Sequence, residues 1–159
     1  MSKTGVYAII RIIYTMYQSM NLSSMQHLMI FWGTITMVVG ITMAIIQTDF
    51  KRMLAFSSVS QIGYIIVGIG LATPIGITGG IYHMINHVVF KSLLFLSAGA
   101  VYYKTHTTNM DELGGLAKKM PYTTVMFIVG MLSIGGIPPF NGFVSKWLLY
   151  KATFEDGYA

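Results

Sequence analysis

Residues 76–101 read GITGGIYHMINHVVFKSLLFLSAGAV, and the chain is best understood outward from them. Apart from His83, Asn86, His87 and Lys91 the stretch is apolar. It exceeds the roughly 20 residues a helix needs to cross a bilayer. A soluble helix would alternate faces, whereas this one is apolar nearly all round, as a buried or membrane helix is.

The rest of the chain agrees. Met25 to Gln47 has no Asp, Glu, Lys or Arg, and Met53 to Ala72 forms another apolar run. Residues 121–137 make a shorter one, and 4–17 is apolar around Arg11. Residues 138–152 begin with a break. Of 159 residues 54% are hydrophobic and 9% charged, against about 25% charged in an ordinary soluble domain. The expected fold is all-α: one partial transmembrane bundle of 1–159, with spans near 4–17, 25–47, 53–72, 76–101 and 121–137 and a broken helix at 138–152. The start does not read as a cleavable signal peptide. Cysteine is absent, which excludes disulfides and thiolate chemistry. The net charge of +5 is dispersed, with no basic run, so nucleic acid is excluded as a partner. The expected surroundings are the lipid bilayer.

Loop charges suggest an orientation. The turn after the Met25 span holds Asp49, Lys51 and Arg52, and the longer loop after residue 101 holds Lys104, Lys118 and Lys119. An even number of crossings puts these loops on one side. The opposite turns, 19–24 and 73–75, hold no Lys or Arg. The charged side is therefore expected to be cytoplasmic, or matrix in a mitochondrion. In the long loop, Met110, Leu113, Leu116 and Met120 suggest a short helix on the membrane surface. An ordinary solvated connector is the alternative.

His83, His87 and Lys91 carry the chemistry. They are spaced i, i+4, i+8 and share one helical face over about 12 Å. Lys91 lies near the middle of its span, where a charged side chain costs at least about 2.5 kcal/mol. Such a group persists only facing a bundle interior, water or a partner. There, an amine poised between its charged and neutral forms can load and release a proton. Histidines near neutrality can pass it on. The bland alternative is one satisfied lysine beside two packing histidines.

A second position is Gly136-Ile137-Pro138-Pro139-Phe140-Asn141-Gly142, where two prolines flanked by glycines stop a helix. Two readings stay open. Pro138, Pro139 and Gly142 mark either a broken helix at membrane depth, of the kind that lines ion sites, or a surface loop with Lys146 snorkelling toward it. His27, one turn into its span, reads as an interfacial histidine, and Lys3 as a solvated terminal residue. Met1-Ser2-Lys3 and Val144-Ser145-Lys146 form a faint internal echo.

These residues also carry a resemblance. Residues 48–64, TDFKRMLAFSSVSQIGY, resemble a signature of the antiporter-like subunits of respiratory complex I and of their relatives, the Mrp-type antiporters and membrane-bound hydrogenases. HMINHVVFKSLLFL (83–96), MDELGGL (110–116) and GIPPFNGFVSK (136–146) are similar to further motifs of that family, in the same order. The resemblance covers nearly the whole chain. It implies a proton-translocating membrane subunit of an NADH:quinone oxidoreductase-like or hydrogenase-like complex. A subunit of an Mrp-type Na⁺/H⁺ antiporter, or a non-pumping structural fragment, are the alternatives.

The resemblance implies roles as well. Met1-Ser2-Lys3-Thr4-Gly5-Val6-Tyr7 is similar to the family's Met-x-Lys-x-Gly-Val-Tyr, which makes Lys3 a proton-path lysine in a broken helix. His27 matches a bridging Lys or His, His83, His87 and Lys91 the central relay, and Lys146 the basic or acidic residue of the second broken helix. The family's subunits hold no redox cofactor or metal and have no catalytic residues of their own. Partner subunits are expected to carry flavin, Fe–S or NiFe centres. Family members are longer, so the earlier helices, with the glutamate that tunes the first lysine, are expected from a complementary chain. The expected location is a prokaryotic inner membrane or the mitochondrial inner membrane.

Overall fold

The structure is a computed structural model and describes residues 2–16 and 22–155. Within them the chain forms α1 (Ser2–Met16), α2 (Leu22–Ile46), α3 (Phe50–Gly70), α4 (Pro74–Thr105), α5 (Leu116–Lys119), α6 (Pro121–Gly135) and α7 (Asn141–Glu155). Among the described residues the β content is a single antiparallel bridge, Asp49 with Asn109. Ser24–Ile46, Phe50–Gly70 and Pro74–Thr105 are long and apolar enough to cross a membrane, and Pro121–Gly135 is a shorter apolar helix.

Local chemistry sets the ends. The carboxylate of Asp49 caps α3, accepting the amides of Lys51 at 2.9 Å and Arg52 at 3.1 Å. Thr73 caps α4 by accepting from Gly76 N–H at 3.1 Å, and Pro74 occupies the first turn, where its missing N–H costs nothing. Gly136, at φ +78°, ends α6. Its N–H reaches Ser133 O and that of Ile137 reaches Leu132 O, a paired closure that satisfies the last carbonyls of the helix.

α4 is the central element, packed on α3, α6 and α7, and α3 also packs closely on α2. The α2–α3 approach depends on glycine. A Cβ on Gly63 would lie 2.7 Å from Gly33 O and from Met37 N, both backbone. Small residues let membrane helices touch backbone to backbone. Two apolar clusters flank the centre: Val6, Ile65 and Ile69 on one side, Leu54, Leu94 and Ala98 on the other.

Of the two readings of the long loop, a short surface helix through Met110, Leu113, Leu116 and Met120 or a connector, the structure departs from the single helix. The loop holds a 3-10 turn, Met110–Glu112, and the four-residue α5, separated at Leu113 to Gly115. Gly115, at φ +68°, makes the left-handed turn that interrupts any continuous helix. The loop is fastened to the α2–α3 turn instead. Phe50 N–H donates to Thr108 O, Met110 N–H to Thr48 O, both at 2.9 Å, and Thr108 Oγ1 to Asp49 Oδ2 at 2.7 Å. The charged loops 48–52 and 102–120 therefore meet at one end of the bundle.

Candidate functional site

The helical spacing of His83, His87 and Lys91 puts them on the inward face of α4, and all three are buried, at 0%, 3% and 5% exposure. The two imidazoles lie nearly parallel, with centroids 6.4 Å apart and planes within 20°. Phe90 stands edge-on to His87 with centroids 5.5 Å apart. One turn further on, Lys91 reaches across to α3. Its Nζ donates to Leu54 O at 2.5 Å and to Ser57 Oγ at 2.7 Å, and lies 5.6 Å from the Phe95 ring. These partners are neutral. Among the described residues the single ion pair is Lys151 with Glu155, at the far end of α7. The buried amine thus rests on a hydroxyl and a carbonyl, either of which it can leave without breaking an ion pair.

His83 joins three helices. Its Nδ1 is 2.9 Å from Ser145 Oγ on α7, and its Nε2 is 2.9 Å from Gln61 Oε1 on α3. Ser145 Oγ donates its one proton to Gly142 O at 3.0 Å. That leaves only lone pairs toward the ring, so Nδ1 carries a proton. Nε2 then depends on Gln61. An amide oxygen facing Nε2 requires an N–H there and hence an imidazolium; an amide NH₂ requires a bare nitrogen and a neutral ring. Half a turn of one amide matches either charge state of the imidazole at Nε2.

Lys146 sits one residue beyond Ser145. Its Nζ turns back to the end of α6, donating to Ile134 O at 2.8 Å and Gly135 O at 3.3 Å. Those are last-turn carbonyls, at the negative end of the helix dipole. The ring of Tyr64 lies 5.3 Å away. Lys146 thus turns back onto the break, a contact that both readings of the break accommodate. Pro138 and Pro139 themselves are exposed, with a cis bond between them, while Gly142 is buried. Asn86 Nδ2 donates to Asn141 O at 3.3 Å and pins the start of α7 to α4.

A cavity of ≈ 370 Å³ reaches from Lys146 to Ser57, the hydroxyl that Lys91 bonds. Its walls include Ser57, Ser60, Gln61, Tyr64 and Lys146. Ser57 both bonds Lys91 and lines this space. His83, His87 and Lys91 thus form one buried polar stripe on α4, with Ser145 and Ser57 leading from it toward Lys146 and the cavity. His27 is not part of it; its side chain is exposed on α2. Lys3 belongs to α1, and its side chain lies outside the described residues. Sequence reasoning missed Ser57, Gln61 and Ser145 as partners. A signal existed: Ser57, Ser58, Ser60 and Gln61 are a polar run inside an otherwise apolar span.

Comparison with known proteins follows the same line. The sequence pattern of the family described as NADH:quinone oxidoreductase/Mrp antiporter, TM matches residues 1–158. The chain is 38% identical to a subunit of the Na(+)/H(+) antiporter of Alkalihalophilus pseudofirmus over 154 residues, 97% of this chain and 31% of that protein. It is 35% identical to Hydrogenase-4 component B of Escherichia coli over 173 aligned positions, 98% of this chain and 25% of that protein. Its fold is similar to a chain in the Mrp complex from Dietzia sp. DQ12-45-1b, with TM-score 0.88, 35% identity, and coverage of 96% of this chain and 28% of that one. The chain therefore spans about a third or less of the length of the relatives it matches.

Proposed function

The chain belongs to the NADH:quinone oxidoreductase/Mrp antiporter transmembrane family, and from that premise we propose that it carries one stretch of a proton path through a membrane complex. It is an integral membrane protein. The observation that carries the proposal is Lys91: a 5% exposed amine bonded, among the described residues, to the neutral Leu54 O and Ser57 Oγ, in line with His87 and His83. A charge at that depth is costly, and function is the usual reason it persists. In this reading His83 and His87 relay protons along α4, Lys91 stores one, and Lys146 accepts it across the Ser57–Gln61 cavity. Lys3 and His27 extend the path toward helices that the longer relatives carry, contributed by the same polypeptide or a companion chain.

The test uses the protein that contains this segment, reconstituted in vesicles. Lys91→Ala is expected to lower proton uptake at least tenfold, about 1.4 kcal/mol in the barrier, with assembly intact. Undiminished uptake by an assembled variant would overturn the proposal and leave a structural role.

Two settings are compatible. In the first, the complex is redox-driven and its other subunits hold flavin, Fe–S or NiFe centres. In the second, it exchanges Na⁺ for H⁺, as the name of the Alkalihalophilus relative indicates for that protein. Co-purification of iron- or flavin-bearing subunits supports the first; Na⁺-dependent proton movement without them supports the second. The excess of Lys and Arg at the end formed by loops 48–52 and 102–120 supports placing that end in the cytoplasm of a prokaryote, or in a mitochondrial matrix.

A further inference from the structure

A second basic cavity lies away from the buried polar stripe. It measures ≈ 510 Å³ and opens between the end of α4, the following loop and the start of α6. Lys104, Lys119, Thr105 and Thr107 give it a polar side, and Leu116 and Met120 an apolar one. Its walls are fixed. Thr105 Oγ1 donates to Val101 O at 2.9 Å, and the loop is clasped to the α2–α3 turn as described. Glu112 also faces the cavity, so its lining carries two amines against one carboxylate, and that carboxylate is turned to the loop. Thr107 Oγ1 donates to one oxygen at 2.7 Å and Asn109 Nδ2 to the other at 3.3 Å. Lys104, Lys118 and Lys119 have no ion-pair partner among the described residues.

The depth of this cavity is informative. α4 has 32 residues, which at 1.5 Å each exceeds the roughly 30 Å hydrocarbon thickness. The excess length, with Lys104 in the last turn and Lys118 and Lys119 in the loop beyond, suits an end at the boundary with water. Tyr103, in the last turns of α4, and Tyr122, in the first turn of α6, are 83% and 85% exposed, as boundary aromatics are. Below the cavity, Val125, Met126 and Val129 continue an exposed apolar face down α6.

We propose that this cavity seats the phosphodiester headgroup of an anionic phospholipid, with the phosphate between Lys104 and Lys119 and the acyl chains lying along α6. A soluble phosphate would gain nothing from Leu116, Met120 and the apolar face beneath. A phospholipid uses both parts. The inference is independent of which ion the complex moves.

The test is lipid retention by the complete protein in detergent, read by native mass spectrometry with phosphatidylglycerol and phosphatidylcholine added in competition. Phosphatidylglycerol is expected to be retained preferentially. A basic residue near an anionic lipid contributes about fivefold in affinity, so Lys104→Ala with Lys119→Ala should weaken retention about 25-fold at low salt. Lys104→Arg with Lys119→Arg should restore it, and Lys118→Ala, outside the lining, should leave it unchanged. Millimolar inorganic phosphate should not displace the lipid. Equal retention of the two lipids, unaltered retention in the double alanine variant, or full displacement by phosphate would each overturn the proposal. Thermal unfolding of every variant separates lost binding from lost folding.

Discussion

At the scale of single residues, the buried polar stripe depends on neutral partners placed within hydrogen-bond reach of basic groups. Ser145 illustrates it. The hydroxyl is fully buried and joins His83 Nδ1 to Gly142 O. Ser145→Ala would leave a buried ring N–H without an acceptor, which costs about 1–3 kcal/mol. Thermal unfolding of the assembled protein should register that loss, and Ser145→Thr should recover part of it. No change in the alanine variant would mean that His83 is held by Gln61 alone. Asp49 is the contrasting case, a carboxylate in a turn outside the spans. The hydroxyl of Thr108, then the backbone N–H groups of Arg52 and Lys51, hold it below the usual carboxylate range. A lowered value in the folded state means the clasp gains stability above the ordinary Asp range and loses it as pH falls through that range and below. The protection factors of amides 48–52 and 107–112, corrected for the intrinsic pH dependence of exchange, should fall below about pH 4. In Asp49→Asn that fall should be absent; its persistence would assign the effect to another group.

At the scale of helices, close approach and clean termination do most of the positioning. Gly63 sits against the backbone of α2, so a side chain there must push two helices apart. Gly63→Ala is expected to destabilise by about 1–3 kcal/mol, the usual range for overpacking, and to slow proton movement by shifting the Ser57–Gln61 edge of the cavity. An unchanged melting temperature would show that the helices absorb the methyl. The end of α6 is equally specific. Gly136 holds a left-handed conformation that lets Lys146 reach Ile134 O and Gly135 O. A residue with a Cβ strains that turn whatever space surrounds it.

At the scale of the whole molecule, the question is whether the ≈ 370 Å³ space between α2, α3, α6 and α7 holds water. Met37, Val38, Ile41 and Ile134 make much of its wall apolar, while Ser57, Ser60, Gln61 and Lys146 offer the polar partners a water needs. The chain contains no cysteine, so introduced thiols report cleanly. Ser57→Cys should react with a charged, membrane-impermeant thiol reagent, whereas Leu94→Cys, at 1% exposure in the apolar cluster, should not. Equal protection of both positions would indicate a dry cavity and require another route between Lys91 and Lys146. The two basic clusters of the chain have separate tasks in this picture. One is buried and is proposed to move charge, and the other is proposed to meet lipid at the membrane boundary.

The sequence by itself determined the all-α membrane fold, because uninterrupted apolar runs of bilayer length have few other solutions. It also determined the shared face of His83, His87 and Lys91, because helical periodicity alone puts i, i+4 and i+8 together. The break before α7 was legible in Gly136, Pro138 and Pro139. Tertiary structure decided the rest. Ser145 lies 62 positions from His83 along the chain, and Ser57 lies 34 from Lys91. No local pattern links such pairs, since helix packing and not periodicity selects which faces meet. The loop around Gly115 also escaped sequence reasoning. Its apolar spacing suggested one helix, but a left-handed glycine and the clasp to Asp49 divided it. Periodicity records what a segment can do alone, and the contacts of the folded bundle decide which of those possibilities is used.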